Sequence, residues 1–121
     1  MIITIPRANR SPLTIPIADT PIPQGLTRVT LQIDRFAFPL SLGQPVGSIA
    51  IEISIDDGAT WYPEGFVLTG GTFPAPKEGP NNKSFKTFTL PNPELSTRRI
   101  RGAPGIVTTQ TLDFGGKIEI L

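Results

Sequence analysis

SIAIEISIDDGATW, residues 48–61 of this 121-residue chain, is the clearest fold signal in the sequence. Isoleucine occupies every second position from 49 to 55, and Ala50, Glu52 and Ser54 lie between. Such alternation is typical of a β-strand that buries one face and exposes the other. The Asp-Asp-Gly run that follows indicates a tight turn, because glycine readily adopts the positive φ that a hairpin requires. We therefore predict a strand over 48–55, then a hairpin turn, with residues 60–70 as the returning strand.

The turn itself carries a recognisable motif. Residues 54–61 fit S-x-D-x-G-x-T-W at every defined position, which are Ser54, Asp56, Gly58, Thr60 and Trp61. This pattern resembles the Asp-box, a β-hairpin motif of sialidase-type propellers and of unrelated β-folds, where it serves structure away from the catalytic centre. The resemblance implies a structural hairpin and no particular activity. From the residues alone, Asp56 and Asp57 can accept hydrogen bonds from turn amides, and Trp61 can pack over the turn. A calcium or sugar contact through the two aspartates is the alternative.

Strand-like segments continue on both sides of this hairpin. Residues 26–36 show the same alternation, and 14 prolines and 12 glycines keep nearly every segment too short for an average helix. Further strands are predicted at 84–90, 97–101, 106–111 and 117–121, with a long loop over 71–83. Seven to nine strands with frequent turns predict an all-β fold. The order of a long early strand, the box hairpin, a loop and a terminal strand is similar to immunoglobulin-like and fibronectin-III-like sandwiches, which implies a single antiparallel Greek-key β-sandwich.

The first 25 residues differ from the rest. Five prolines separate two short apolar pieces, residues 2–5 and 13–17. Proline is tolerated at sheet edges and in extended coil, because it cannot donate a ladder hydrogen bond. We therefore divide the chain into a Pro-rich extended arm or edge strand, 1–25, and a β-sandwich domain, 26–121. The segment either covers the edge of its own sandwich or reaches a neighbouring subunit.

Composition argues against most enzyme classes. The chain has no histidine and no cysteine, which removes the commonest general base, thiol nucleophiles, disulfides and ordinary zinc sites. A carboxylate pair for glycoside hydrolysis is conceivable, but Glu52 and Asp56 would lie about 13 Å apart along a strand, which is too far. We predict no catalytic residue, no metal and no cofactor. A net charge of +1 does not favour nucleic acid or membrane surfaces. A transmembrane helix and a signal peptide are likewise not expected.

Two groups of residues are candidates for partner contact. Arg98, Arg99 and Arg101 cluster in one predicted strand, with Arg99 and Arg101 on one face and Arg98 on the same face as Ile100. They form either a solvated face paired with carboxylates or a contact to a subunit or phosphate. Tyr62 and Phe73 flank the hairpin and the 71–83 loop. Such aromatics either anchor a loop or bind partner proteins or sugars.

Two functions fit these features. A small chain without cysteine or histidine, with a Pro-rich arm and a Pro/Gly-rich loop, resembles the decoration, cement and tail accessory proteins of tailed bacteriophages. That resemblance implies a non-enzymatic virion protein, made in the cytoplasm without a signal peptide. It would bind copies of itself, or a capsid or tail protein, through its arm and loops. The alternative is a carbohydrate-binding or adhesion module that uses Trp61, Tyr62 and the 71–83 loop.

Overall fold

The computed structural model describes residues 1–10, 16–37, 45–69, 82–103 and 112–121. Within these ranges the chain is all β, without a helix, as predicted. The described ranges contain eight strands: β1 (Ile2–Arg10), β2 (Thr20–Pro21), β3 (Arg28–Ala37), β4 (Pro45–Ser54), β5 (Tyr62–Thr69), β6 (Asn82–Thr89), β7 (Arg99–Ala103) and β8 (Leu112–Ile120).

The strands form two antiparallel sheets of four strands each, in the orders β1-β8-β3-β6 and β2-β7-β4-β5. The predicted hairpin is present, since β4 pairs with β5 from Pro45↔Thr69 to Ile53↔Tyr62. The period of two in the sequence also appears in the burial. On β3, Val29, Leu31 and Ile33 are buried, and on β4 Ile51 and Ile53 are buried.

One apolar core takes residues from both sheets, which gives the molecule a sandwich-like arrangement. Burying an aliphatic or phenyl side chain stabilises a fold by about 1.5–3 kcal/mol, so this shared core is the main force that holds the layers together. Its buried members are Ile5, Ile17, Ile22, Val29, Leu31, Ile33, Ile51, Ile53, Leu90, Ile100, Phe114, Ile118 and Ile120.

The described part of residues 1–25 lies along both sheets. β1 pairs with β8 from Ile2↔Glu119 to Arg10↔Leu112, and β2 pairs with β7. The N-terminal ammonium of Met1 donates to the carbonyl oxygen of Ile120 at 2.9 Å. Because Ile5, Ile17 and Ile22 are also buried, these residues are edge strands and core of their own chain.

The last strand is longer than the sequence indicated. β8 begins at Leu112 rather than at residue 117, and it runs through Gly115 and Gly116. The glycines are needed there because neighbouring backbone comes very close. A Cβ on Gly115 would lie 3.0 Å from the backbone of Arg7, and one on Gly116 would collide with the carbonyl oxygen of Gln32. The predicted strand over 106–111, residues 71–81 of the predicted loop and Phe73 lie outside the described residues. The last two residues of that loop, Asn82 and Lys83, begin β6 instead.

Candidate functional site

The turn between β4 and β5 is built around one buried hydroxyl. Ser54 is fully buried, and its Oγ accepts hydrogen bonds from the N–H of Asp56 at 3.3 Å and of Gly58 at 2.9 Å. The same hydroxyl donates to Oδ1 of Asp56 at 2.8 Å. That carboxylate oxygen in turn accepts the N–H of Thr60 at 2.8 Å. Side chains of the motif therefore replace ladder hydrogen bonds where the chain reverses.

The same turn requires unusual backbone angles. Asp57 has a φ of 59° and Gly58 a φ of 90°. Aspartate tolerates the left-handed region better than most residues, and glycine has no Cβ to strain there. Trp61 folds back over the turn, and its Nε1 donates to the carbonyl oxygen of Gly58 at 2.9 Å. The five motif residues identified in the sequence are thus brought together in one hairpin.

The carboxylate of Asp56 is held in its charged form. Hydrogen bonds from the Thr60 N–H, the Thr60 hydroxyl and the Ser54 hydroxyl, in that order of size, lower the pKa of Asp56 below its ordinary value. These donors lie within the turn, so the carboxylate serves the hairpin. Among the described residues, no group of three or more acidic side chains is placed to hold a metal ion.

The turn is also fastened to the start of β7. Thr97 donates its hydroxyl to the carbonyl oxygen of Ile55 at 2.6 Å, and its own carbonyl oxygen accepts the N–H of Asp57 at 2.9 Å. We call residues 54–61 together with Thr97, Arg99 and Arg101 the box corner. The role of Thr97 was missed in the sequence, because no local pattern connects residues 42 positions apart.

Arg99 and Arg101 lie on the outer face of β7, and both are engaged within the chain. The Nε of Arg99 lies 2.6 Å from Oδ1 of Asp19, and one terminal nitrogen lies 3.3 Å from Oδ1 of Asp57. The hydrogen bond that Arg99 donates to Asp19 is the main cause that raises the pKa of Arg99. Arg101 lies 3.9 Å above the centre of the Trp61 ring, and its Nε is 3.2 Å from Glu52.

Arg98 corrects one of the sequence predictions. It was a candidate partner contact, but its side chain is fully buried. Its two terminal nitrogens donate to the carbonyl oxygens of Leu26 at 2.7 Å and Pro23 at 2.9 Å, which fixes the segment between β2 and β3. A buried guanidinium cannot meet a partner at the surface. The sequence pattern could have predicted this burial, because Arg98 shares its strand face with Ile100, a core residue.

A different surface lies beside β5 and β6, each of which is outermost among the described strands of its sheet. Between them lies a groove of about 280 Å³, lined mainly by apolar side chains: Ile53, Ile55, Tyr62, Glu64, Phe88, Thr89, Leu90, Pro91 and Asn92. Tyr62 is 52% exposed at its rim, and Phe85 is 59% exposed on the outer side of β6. We call β5, β6 and this groove the β5–β6 edge. Tyr62 was predicted as a contact residue, whereas Phe85 and the groove were not.

One ion pair crosses this edge. The Nζ of Lys86 on β6 lies 3.6 Å from a carboxylate oxygen of Glu64 on β5, so the pair links the two sheets. Both side chains are about one-third exposed, and a pair of that kind contributes little to stability. Its effect is to compensate the charge of Lys86 between the two sheets.

Comparison with protein-family models, with curated proteins and with solved structures finds no match to this chain. The described residues contain no helix of the length and hydropathy needed to cross a membrane.

Proposed function

We propose that this chain is a non-enzymatic structural subunit of a larger assembly, of the kind represented by tailed-bacteriophage decoration, cement and tail accessory proteins. The observation that carries the proposal is a contrast between two surfaces in how accessible their side chains are to a partner. The charged groups of the box corner are bonded to other groups of the same chain. By comparison, Tyr62 stays exposed at the rim of a mainly apolar groove, and Phe85 stays exposed on the outer side of β6. Exposed aromatic groups and an apolar groove favour protein contacts over catalysis.

The finer fold proposal is an immunoglobulin-like Greek key. Its support is the path of the chain, in which β4 and β5 form a hairpin in one sheet and β3 pairs with β6 in the other. The chain then returns, because β7 pairs with β4. Sandwiches of this type carry binding surfaces at their loops and edges and commonly need no catalytic residue.

The proposed partners are other protein subunits, either copies of this chain or a capsid or tail protein, and the proposed location is the virion. The described residues of 1–25 are occupied in the chain's own sheets and core. We therefore assign the contacts to sheet edges and loops instead of to a free N-terminal arm. Neither nucleic acid nor a membrane is a proposed partner, and no cofactor is proposed.

Carbohydrate binding is the second candidate, and the exposed ring of Tyr62 beside the groove favours it. Sugar sites commonly use aromatic rings as flat platforms. Trp61 is a poor second platform, because Arg101 covers one face and its Nε1 is bonded to Gly58. A sugar site would therefore depend on Tyr62.

The test is where the chain is found in its native source. Particles from that source are separated on a density gradient, and each fraction is probed with an antibody against this chain. If the chain is recovered with particles and stays bound to them after a high-salt wash, the proposal is supported. If it is recovered only among free proteins, the proposal is overturned. In parallel, the purified chain and Tyr62→Thr are applied to a glycan array. Retention of the unmodified chain but not of the variant would support the carbohydrate alternative instead.

A further inference from the structure

The four outermost strands of the two sheets differ in how well they are protected. β1 contains Pro6 and an irregular register between Ile5 and Ala8. β2 is only two residues long and includes Pro21, and β5 contains Pro63. Prolines, irregularities and short length all prevent another strand from pairing with an edge. β6 has none of these features, since its eight residues pair with β3 in continuous register.

The open side of β6 has a defined set of hydrogen-bonding groups. The N–H of Leu90 donates to the carbonyl oxygen of Thr27, which precedes β3. Backbone groups point to alternate sides along a strand, so those of Phe88 and Lys86 also point to β3. Those of Phe85, Thr87 and Thr89 point away from it. Within the described part of the chain no strand pairs on that side.

We propose that this edge pairs antiparallel with β6 of a second copy of the chain. The two four-stranded sheets that contain β6 would then become one continuous sheet across a twofold axis. The proposal rests on the assembly function given above and names the contact by which copies associate.

The side chains of β6 suit such self-pairing. With the axis at Thr87, Phe85 faces Thr89 of the second copy, and Lys86 faces Phe88 of the second copy. Pairs of an aromatic with a β-branched residue are favourable across antiparallel strands. With the axis at Lys86, the two lysines would face each other, so that register is disfavoured.

An inward-facing lysine on an edge strand commonly prevents association. Here Glu64 lies 3.6 Å from Lys86 and compensates its charge. The aliphatic stem of Lys86 can then lie along the ring of Phe88 of the second copy. Each Phe88 also lines the groove of its own copy. Charge at this edge therefore selects a register without forbidding a dimer.

The decisive substitution is Thr87→Pro. Proline removes only an N–H that points away from β3, so the ladder inside the sheet keeps its hydrogen bonds. Thr87→Val is the matched control, because it keeps the N–H and the shape of the side chain. Sedimentation velocity over a wide range of concentration would compare both variants with the unmodified chain. We expect the unmodified chain and Thr87→Val to have the mass of two copies, and Thr87→Pro the mass of one.

Far-ultraviolet circular dichroism and the fluorescence of Trp61 check that Thr87→Pro folds. If Thr87→Pro does not fold, amide hydrogen exchange of the unmodified chain tests whether β6 forms the contact. Pairing through β6 predicts that the Phe85 and Thr87 amides exchange more slowly at high than at low concentration. The inference is overturned if the unmodified chain is a monomer at every concentration. It is also overturned if the chain is a dimer but Thr87→Pro stays dimeric, or if these amides exchange at the same rate at every concentration. The gradient experiment on native particles tests the assembly function independently of this contact. If the purified chain is a monomer but is still recovered with particles, the β6 contact is overturned and the assembly function is not.

Discussion

The box corner and the β5–β6 edge both combine aromatic and charged side chains, yet they use them in opposite ways. In the corner, the Ser54 hydroxyl, the Asp56 carboxylate and the Trp61 Nε1 each bond to a group of the same turn. At the edge, Tyr62 and Phe85 are more than half exposed. The stronger sequence motif therefore marks the place that is less available to a partner. Five substitutions test this difference, beginning with the one of largest effect.

Gly58→Val should destabilise the chain most, by about 3 kcal/mol. A β-branched residue at a φ of 90° is strained, and the cost of such backbone strain lies at about 1–3 kcal/mol. A new Cβ would lie 3.6 Å from the Trp61 ring, so space is adequate and backbone strain is the main cost. Chemical denaturation followed by Trp61 fluorescence gives the free energy of unfolding. An unchanged value would contradict the assignment of Gly58 to the turn.

Ser54→Ala should cost about 2 kcal/mol, because it leaves two turn amides without their acceptor in a buried place. Ser54→Thr keeps a hydroxyl at this position. Comparing it with Ser54→Ala distinguishes the loss of the hydrogen bonds from the loss of the packing contacts of the oxygen atom. Thermal unfolding of the three proteins provides the measurement. If alanine and threonine behave alike, the hydroxyl is not what holds the turn.

Asp56→Asn should alter the response to acid. The folded-state pKa of Asp56 is below its ordinary value of 3.8, so its carboxylate contributes stability above that pH. This contribution is lost as the pH falls from about 4 through the lower folded-state pKa. The variant should be less stable near neutrality and should lose less stability in acid. Melting curves between neutral and strongly acidic pH test the sign, which would be refuted by parallel profiles.

Tyr62→Thr should change the free energy of unfolding by about 1 kcal/mol or less, because the side chain is 52% exposed and threonine suits a strand. A larger loss in chemical denaturation would mean that the ring supports the fold and is not reserved for a partner. This variant also serves the glycan experiment, so its folding must be established first.

Arg99→Ala should have the smallest effect and leave the melting midpoint nearly unchanged. The side chain of its partner Asp19 is 46% exposed and that of Asp57 is 69% exposed, and ion pairs that accessible to solvent contribute little. Melting losses as large as those of Gly58→Val would reverse the roles given to the two residues. The pair of variants is therefore the direct comparison between backbone geometry and surface charge within the corner.

Much of this organisation could be predicted from local patterns. The alternation in residues 26–36 and 48–55 predicted β3, β4 and the burial of Ile51 and Ile53, and the motif in 54–61 predicted the turn. Ser54 was assigned to the exposed face of β4, but it is buried because its hydroxyl bonds to the turn. Arg98 was misplaced because its acceptors, the carbonyls of Pro23 and Leu26, are distant in sequence and carry no residue-specific signal. The groove was missed for a similar reason, since it is assembled from three strands and the residues that follow β6.

The sequence by itself determined that the chain is built from strands, because a period of two in hydrophobicity and frequent proline and glycine exclude long helices. It also determined the turn of the hairpin, whose motif side chains make their hydrogen bonds within residues 54–61. Only the tertiary structure decided which strands are edges, that Arg98 is buried, and that Gly115 and Gly116 lie inside a strand. These depend on which distant backbones approach one another, and one amino-acid pattern is compatible with many such pairings.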